Sequence, residues 1–193
     1  MSDQDGDGSP AGSVRQLVAG DWEQSRDARL AALAEAPYAF ASTLERELSF
    51  TEDVWRDRAG SGRTFGAFDG AVIVGMATGL LPDDQLGGTV PGHGQHPGGP
   101  SWSLVGMWVA PAWRGRGVAD SLVNAVCERA RQSGAATVTL WVTDVNGRAR
   151  AFYERLGFAP TGRRQLVRPD EPGHGEEQLA LWLTEACPGR TAG

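Results

Sequence analysis

The chain has 193 residues, 40% of them hydrophobic, and its 24 acidic against 18 basic side chains leave a formal charge of −6. That length and apolar content suit one globular domain with its own core. The charge argues against general nucleic-acid binding, which relies on many basic contacts to phosphate, and no run reaches the roughly 20 apolar residues of a membrane-spanning helix.

Residues 1–13, MSDQDGDGSPAGS, are acidic and rich in Gly and Ser, without the basic-then-apolar order of a secretory signal. They read as a disordered lead-in to a cytoplasmic protein. The domain is expected over 14–183, with 184–193 as a tail. VRQLVA (14–19) reads as a short strand. A helix follows over 20–37, with Asp21 as N-cap and Leu30, Leu33 and Ala34 at helical spacing, ending before Pro37. A second helical region spans 43–59, carrying Leu44, Leu48 and Trp55 among many charges. Residues 63–81 read as two antiparallel strands joined at Asp69-Gly70, a strong hairpin signal.

Residues 82–100 form a Gly/Pro-rich loop without periodicity. His93 and His96 lie in it with no third ligand nearby, so no metal site is expected. SWSLVGMWVAP (101–111) is an apolar strand halted by Pro111. Residues 114–133 place Val118, Leu122, Val126 and Ala130 on one helical face, and ATVTLWVT (136–143) alternates as a buried strand. Strand, Gly-rich turn, helix and strand make a β-α-β unit, whose strands are parallel. A short helix over 146–156, a strand opening at Gly157-Phe158, and a last strand in EEQLALWLT (176–184) complete the pattern. Cys127 and Cys187 stand far apart and are expected to be plain thiols.

The charge is unevenly spread. Between 111 and 164 nine Arg face four acids, a local balance of +5 that leaves −11 elsewhere, as expected if a small polyanion binds this half. Within it, RGRG (114–117) sits where a strand ends and a helix begins, a place that offers unpaired amides and a positive dipole end to an anion. Gly115 and Gly117 would let a phosphate approach the backbone. The dinucleotide fingerprint fails, because Asp120 stands where its third glycine belongs, and a P-loop fails because the chain has no lysine. A plain tight turn with solvated arginines remains open on RGRG alone. The second constellation is NGRARAFYERLGF (146–158): Asn146 is a natural N-cap, Gly157 a natural helix stop, and Ala149, Phe152, Tyr153 and Leu156 follow a helical repeat.

Together the two stretches resemble the GCN5-related N-acetyltransferase (GNAT) superfamily. Arg114, Gly117 and Ala119 meet its acyl-CoA motif [RQ]-x-x-G-x-[GA], after the strand-x-Pro approach MWVAP. Asn146, Ala149, Tyr153, Gly157 and Phe158 meet N-x-x-A-x-x-x-Y-x-x-x-G-F. The resemblance covers about 14–183 and implies an α/β GNAT fold: a mixed, mostly antiparallel sheet with a splayed parallel strand pair, flanked by helices. It implies acetyl-CoA as co-substrate, its pantetheine arm against the backbone of Met107, Trp108 and Val109. The pyrophosphate would lie on the amides of Arg114, Gly115, Arg116, Gly117, Val118, Ala119 and Asp120, with Arg116 and Arg150 as phosphate-facing side chains. Tyr153 would be the general acid for the departing thiolate, and Asn146 would touch the cofactor arm or order a water. The acceptor implied is a small-molecule or peptide primary amine, attacked directly; no nucleic acid or membrane is involved, and a homodimer stays open.

The chain departs from the family at the base: Ser103 and Trp141 stand where many relatives carry Glu. Asp144, Glu45, Glu47 or a water chain are the candidate substitutes. Phe40, Trp55 and Trp102 are expected around the acceptor, and acids outside the cofactor half favour a cationic amine. The missing glutamates also leave open a non-catalytic acyl-CoA-binding sensor.

Overall fold

The computed structural model describes residues 12–81, 100–168 and 174–183. Residues 1–11 of the tail expected over 1–13, the tail expected at 184–193, residues 82–99 of the expected 82–100 loop with His93 and His96, and Cys187 lie outside them, while Ser13 of the expected tail belongs to the first strand.

Strand β1 (Ser13–Gln16) is shorter than expected, because the chain turns into a 3-10 segment at Ala19–Asp21. Helix α1 (Trp22–Glu35) follows. Asp21 stands at its N-cap, yet its carboxylate turns back to accept from Val18 N (2.8 Å) and from both terminal nitrogens of Arg15 (2.7 Å each). The buried stripe of α1 is Ser25, Ala28, Ala32 and Leu33; Leu30 is half-buried and Ala34 exposed. The helical region expected over 43–59 is two helices, α2 (Leu44–Leu48), capped by Thr43 Oγ1, and α3 (Glu52–Gly60). The break falls at Ser49, whose hydroxyl and amide both bond back to the Arg46 carbonyl, while Thr51 opens α3 in an extended conformation.

The hairpin β2 (Thr64–Asp69) and β3 (Val72–Leu80) turns through Gly70 and Ala71, Asp69 pairing with Val72. Strand β4 (Ser101–Val109) leads through a 3-10 turn at Pro111–Trp113 into α4 (Val118–Gln132), which starts four residues later than the sequence pattern suggested. Strand β5 (Thr137–Thr143), α5 (Gly147–Arg155), β6 (Ala159–Leu166) and β7 (Gly175–Trp182) follow.

The seven strands form one sheet in the order β1-β2-β3-β4-β5-β7-β6, antiparallel throughout except for the β4–β5 pair. The main core joins this sheet to α4, whose Leu122, Val126 and Ala130 are fully buried, and to Tyr153 of α5. The stripe read at i, i+4 from Val118 is therefore the packing face. Smaller clusters join α1 and α3 to Phe68, Ile73 and Met76 of the sheet. Cys127 is buried and free, and its surroundings push the thiol up to about 11, so it stays an unreactive packing residue. No helix among the described residues is long and apolar enough to cross a membrane.

Candidate active site

Strands β4 and β5 pair over three rungs, Ser101 with Thr137, Trp102 with Val138 and Ser103 with Thr139, and then part. The Ser103 and Thr139 hydroxyls, 3.2 Å apart, close the last rung. A register shift against β3 and a left-handed Gly106 (φ +63°) bend β4 away from its parallel neighbour. Leu104–Met107 and Leu140–Thr143 thus line a cavity of about 560 Å³, with Asn146, Ala149 and Tyr153 in the same wall. The edge of β4 that faces it has backbone groups unused by the sheet. Of the three strand residues expected here, Met107 lines the cavity. Trp108 instead turns to α1, donating from Nε1 to Glu35 (2.8 Å), and Val109 is buried, its carbonyl accepting from Arg114 Nε (2.9 Å). The split opens at Leu104, Val105 and Gly106, which sequence reading did not single out.

After β4, Gly115 (φ +75°) and Gly117 (φ +80°) both take the left-handed conformation that suits glycine, and a Cβ on either would meet nothing within 4 Å. Gly117 occupies the N-cap of the fifteen-residue α4 without any side-chain cap, leaving the first amides, at Val118, Ala119 and Asp120, without a capping partner. Arg114 does not face this opening: it clamps the Val109 carbonyl and the Glu35 carboxylate (2.6 Å). Glu35 thereby ties both Trp108 and the turn to α1. The Asp120 side chain, in the first turn of α4, is paired with Arg155 (2.8 Å). Arg116 packs over the Trp113 ring at 5.2 Å and forms no ion pair among the described residues.

Arg150, expected to face phosphate, is held by Glu154 (3.1 Å) and Glu177 (2.6 Å), and Arg164 by Asp144 (2.7 Å). Much of the local positive charge is therefore spent inside the fold. Asn146 caps α5 as expected, Oδ1 accepting from Ala149 N at 3.1 Å. Tyr153 is 7% exposed, its ring edge-on to Phe152 (5.0 Å) and Phe158 (5.6 Å). Burial pushes its phenol well above the ordinary tyrosine range.

The opposite wall carries Phe40 and Trp55 as expected, whereas Trp102 lies in the main core. Of the three candidate bases, Glu45 and Asp144 do not line the cavity, and Asp144 is held by Arg164. Glu47 does line it, fully buried, but accepts from Arg29 Nη2 (2.8 Å) and Arg58 Nη1 (3.0 Å). Burial alone would raise the Glu47 carboxyl; the hydrogen bonds from Arg29 and the charges of Arg29 and Arg58 outweigh it and hold it below its ordinary range.

A fourth carboxylate, Glu176 of β7, lines the cavity opposite Thr143 of β5. Burial raises it above the usual glutamate range, and a hydrogen bond from Gln165 Nε2 (2.7 Å) opposes this in part. Its signal in the sequence is a polar pair, Glu176 and Gln178, at alternate positions entering an apolar strand. Arg29 left a similar trace, a charge four residues after Ser25 and three before Ala32 on the inner face of α1.

Comparison with known proteins matches residues 27–158 to the model of the acetyltransferase (GNAT) family. A streptothricin acetyltransferase of Streptomyces lavendulae is 36% identical over 80 residues, 42% of this chain and 41% of that protein, so the chain spans less than half the length of the curated relatives it matches. Among solved structures, yncA of Salmonella typhimurium, a putative acetyltransferase determined with its cofactor acetyl-CoA, superposes with a TM-score of 0.67 at 16% identity, covering 95% of this chain and all of that one. A GCN5-related N-acetyltransferase from Kribbella flavida gives 0.65 at 22% identity, over 90% and 98% of the two chains. At such identities the structural matches speak for the fold, while the family model covers well over half of the sequence, including the glycine turn and the tyrosine helix. The chain belongs to the GNAT family of acetyltransferases, whose co-substrate is acetyl-CoA.

Proposed function

We propose that the protein transfers the acetyl group of acetyl-CoA to the nitrogen of a small-molecule or peptide primary amine by direct attack. The observation that carries this reading is that one cavity runs along the β4–β5 split and has Tyr153 in its wall. The fit to the cofactor rests on the two left-handed glycines with open space above them and on the uncapped start of α4.

Acetyl-CoA supplies an activated thioester carbonyl. The free edge of β4 at Leu104–Met107, continuing to Trp108 and Val109, pairs with the pantetheine arm. The turn from Gly115 to Gly117 and the amides of Val118, Ala119 and Asp120 hold the pyrophosphate, with Arg116 beside them. Arg114 acts through Val109 and Glu35 as a positioning residue. Asn146, its Oδ1 committed to the cap, offers its amide N–H to the arm. Glu176 takes the proton of the incoming ammonium. The free amine forms the new C–N bond, the C–S bond breaks as the Tyr153 hydroxyl gives its proton to the departing sulfur, and the second proton of the acylated nitrogen returns to the Tyr153 oxygen while Glu176 releases the first to solvent.

Thiol release from acetyl-CoA over a panel of amines tests the reading. Tyr153→Phe is expected to lower kcat about 100-fold, with acetyl-CoA still raising the thermal midpoint of the variant. Protection by acetyl-CoA with no thiol release from any amine would make the chain a binding module instead.

Glu176→Gln is expected to lower kcat/KM by about 100-fold at neutral pH and to remove the acidic limb of the pH profile. In the parent that limb lies above the ordinary carboxylate range, because burial raises Glu176 and the group must be ionised to accept a proton. Stability moves the other way. A raised folded-state pKa means that stability is lost as pH rises through that value, so the Gln variant is expected to outlast the parent in alkaline thermal melts. A purely structural Glu176 would show the stability gain without the lost limb.

A further inference from the structure

The acceptor wall carries four arginines, Arg29, Arg46, Arg58 and Arg168, against two carboxylates, Glu47 and Glu176. Its centre is a buried triad in which two guanidiniums share the one carboxylate of Glu47. One unit of positive charge is left over on guanidiniums that are only 13% and 21% exposed and line the cavity. A charge of this kind is costly unless something of opposite sign meets it.

The triad also has an unused donor. Arg29 gives Nε and Nη2 to Glu47, and its guanidinium lies over the Phe40 ring at 4.7 Å, so its orientation is fixed. Its third nitrogen, Nη1, is buried without a hydrogen-bond partner among the described residues. A Cβ built on Gly106, the residue that bends β4 at the split, would lie 3.8 Å from that nitrogen. Thr143, 5% exposed and in the wall of the same cavity, likewise holds its Oγ1 buried and, among the described residues, unpartnered. A fold with no ligand to satisfy gains nothing from such groups.

We infer that the acceptor amine itself bears a carboxylate, as a free amino acid does, and that Arg29 receives it. A monoanion balances the surplus of the Arg29–Glu47–Arg58 triad. In an α-amino acid the nitrogen is two bonds from the carboxylate carbon, so an acid on Nη1 beside Gly106 brings the amine to the split. Glu176, in the same cavity, is the second charge of a site suited to a zwitterion. This inference rests on the acetyl-transfer reading and reverses the expectation of a purely cationic acceptor.

The test uses matched pairs, each free amino acid against its carboxamide and its decarboxylated amine, with the full chain and acetyl-CoA. Thiol release gives kcat/KM, and calorimetry with CoA present gives affinity. The acid of at least one pair is expected to exceed both partners about 30-fold, and Arg29→Gln to bring that ratio close to one. Arg29→Gln leaves Glu47 paired with Arg58, so it strands no charge; should it still not fold, Arg29→Lys keeps a cation against Glu47 but lacks the Nη1 donor and is expected to lower the ratio in the same sense, and the parent's own ratio needs no variant. Thiol release from amides or plain amines at rates equal to or above the acids overturns this inference and leaves acetyl transfer standing. Failure of every acid to bind overturns it as well, and absence of thiol release from all amines removes the acetyl-transfer reading with it.

Discussion

Glu47→Ala is expected to destabilise the protein by about 3–5 kcal/mol, the range for breaking a buried ion pair from one side. The carboxylate is fully buried, and removing it leaves Arg29 and Arg58 facing each other as uncompensated cations. At roughly 2–4 °C per kcal/mol for a chain of this size, the thermal midpoint should fall by roughly 6–20 °C. Urea unfolding checks the cost directly: the midpoint should drop while the slope, set by the surface exposed on unfolding, stays constant. Glu47→Gln retains the volume and one acceptor oxygen and should cost less. The pH dependence carries the same sign. Because Glu47 is held below its ordinary range, its contribution is full above the unfolded-state pKa of about 4.3 and disappears as pH falls through the depressed folded-state value. The parent should therefore lose stability in that acid window, and the Gln variant should lose less there. A Glu47→Ala protein as stable as the parent would mean that the triad is not the buried, strongly coupled cluster described above.

What the sequence disclosed and what it withheld divide along one physical line. Val118, Leu122, Val126 and Ala130 on α4, and Asn146 as the cap of α5, are set by spacing within a single element, and the structure has them as read. The pairing of β4 with β5 also follows from local order, since a strand, a helix and a strand in succession have few ways to pack. Glu176 meets Thr143 only once β7 is in register with β5, more than thirty residues away in sequence, and no periodicity reports such a register. The same holds for the charges. Nine arginines between 111 and 164 read as a basic half, but Arg114, Arg150, Arg155 and Arg164 are each answered by an acid from another turn or element. Counting charges finds a field; only the fold decides which charges remain to act on a ligand. Arg29, in the acidic half, is answered by Glu47 as well, but shares that carboxylate with Arg58.

Gly117→Asp should separate binding from folding at the turn proposed to hold the pyrophosphate. The residue is left-handed, at φ +80°, where a side chain costs about 1–2 kcal/mol, and Asp tolerates that region better than most. The same aspartate would cap α4, which has no side-chain cap, and would oppose the positive end of the helix, returning up to about 1 kcal/mol. Its Cβ meets no atom within 4 Å, so no clash adds to the cost. Net stability should therefore change little. Affinity for acetyl-CoA should fall by more than about 100-fold, or roughly 2.7 kcal/mol, because a fixed carboxylate would occupy the amides meant for the pyrophosphate and repel its charge. Gly134→Asp is the matched control. Gly134 is also left-handed, at φ +77°, with open space around its Cβ, but it follows the other end of α4. There the substitution should lower stability, since an acid near a helix C-terminus opposes the dipole, and leave the affinity for CoA at the parent value. Calorimetric titration with CoA, alongside thermal melts of both variants, reads the two effects separately. If Gly117→Asp binds CoA as the parent does, the uncapped start of α4 is a turn and nothing more, and the cofactor's phosphates must be held elsewhere along the split.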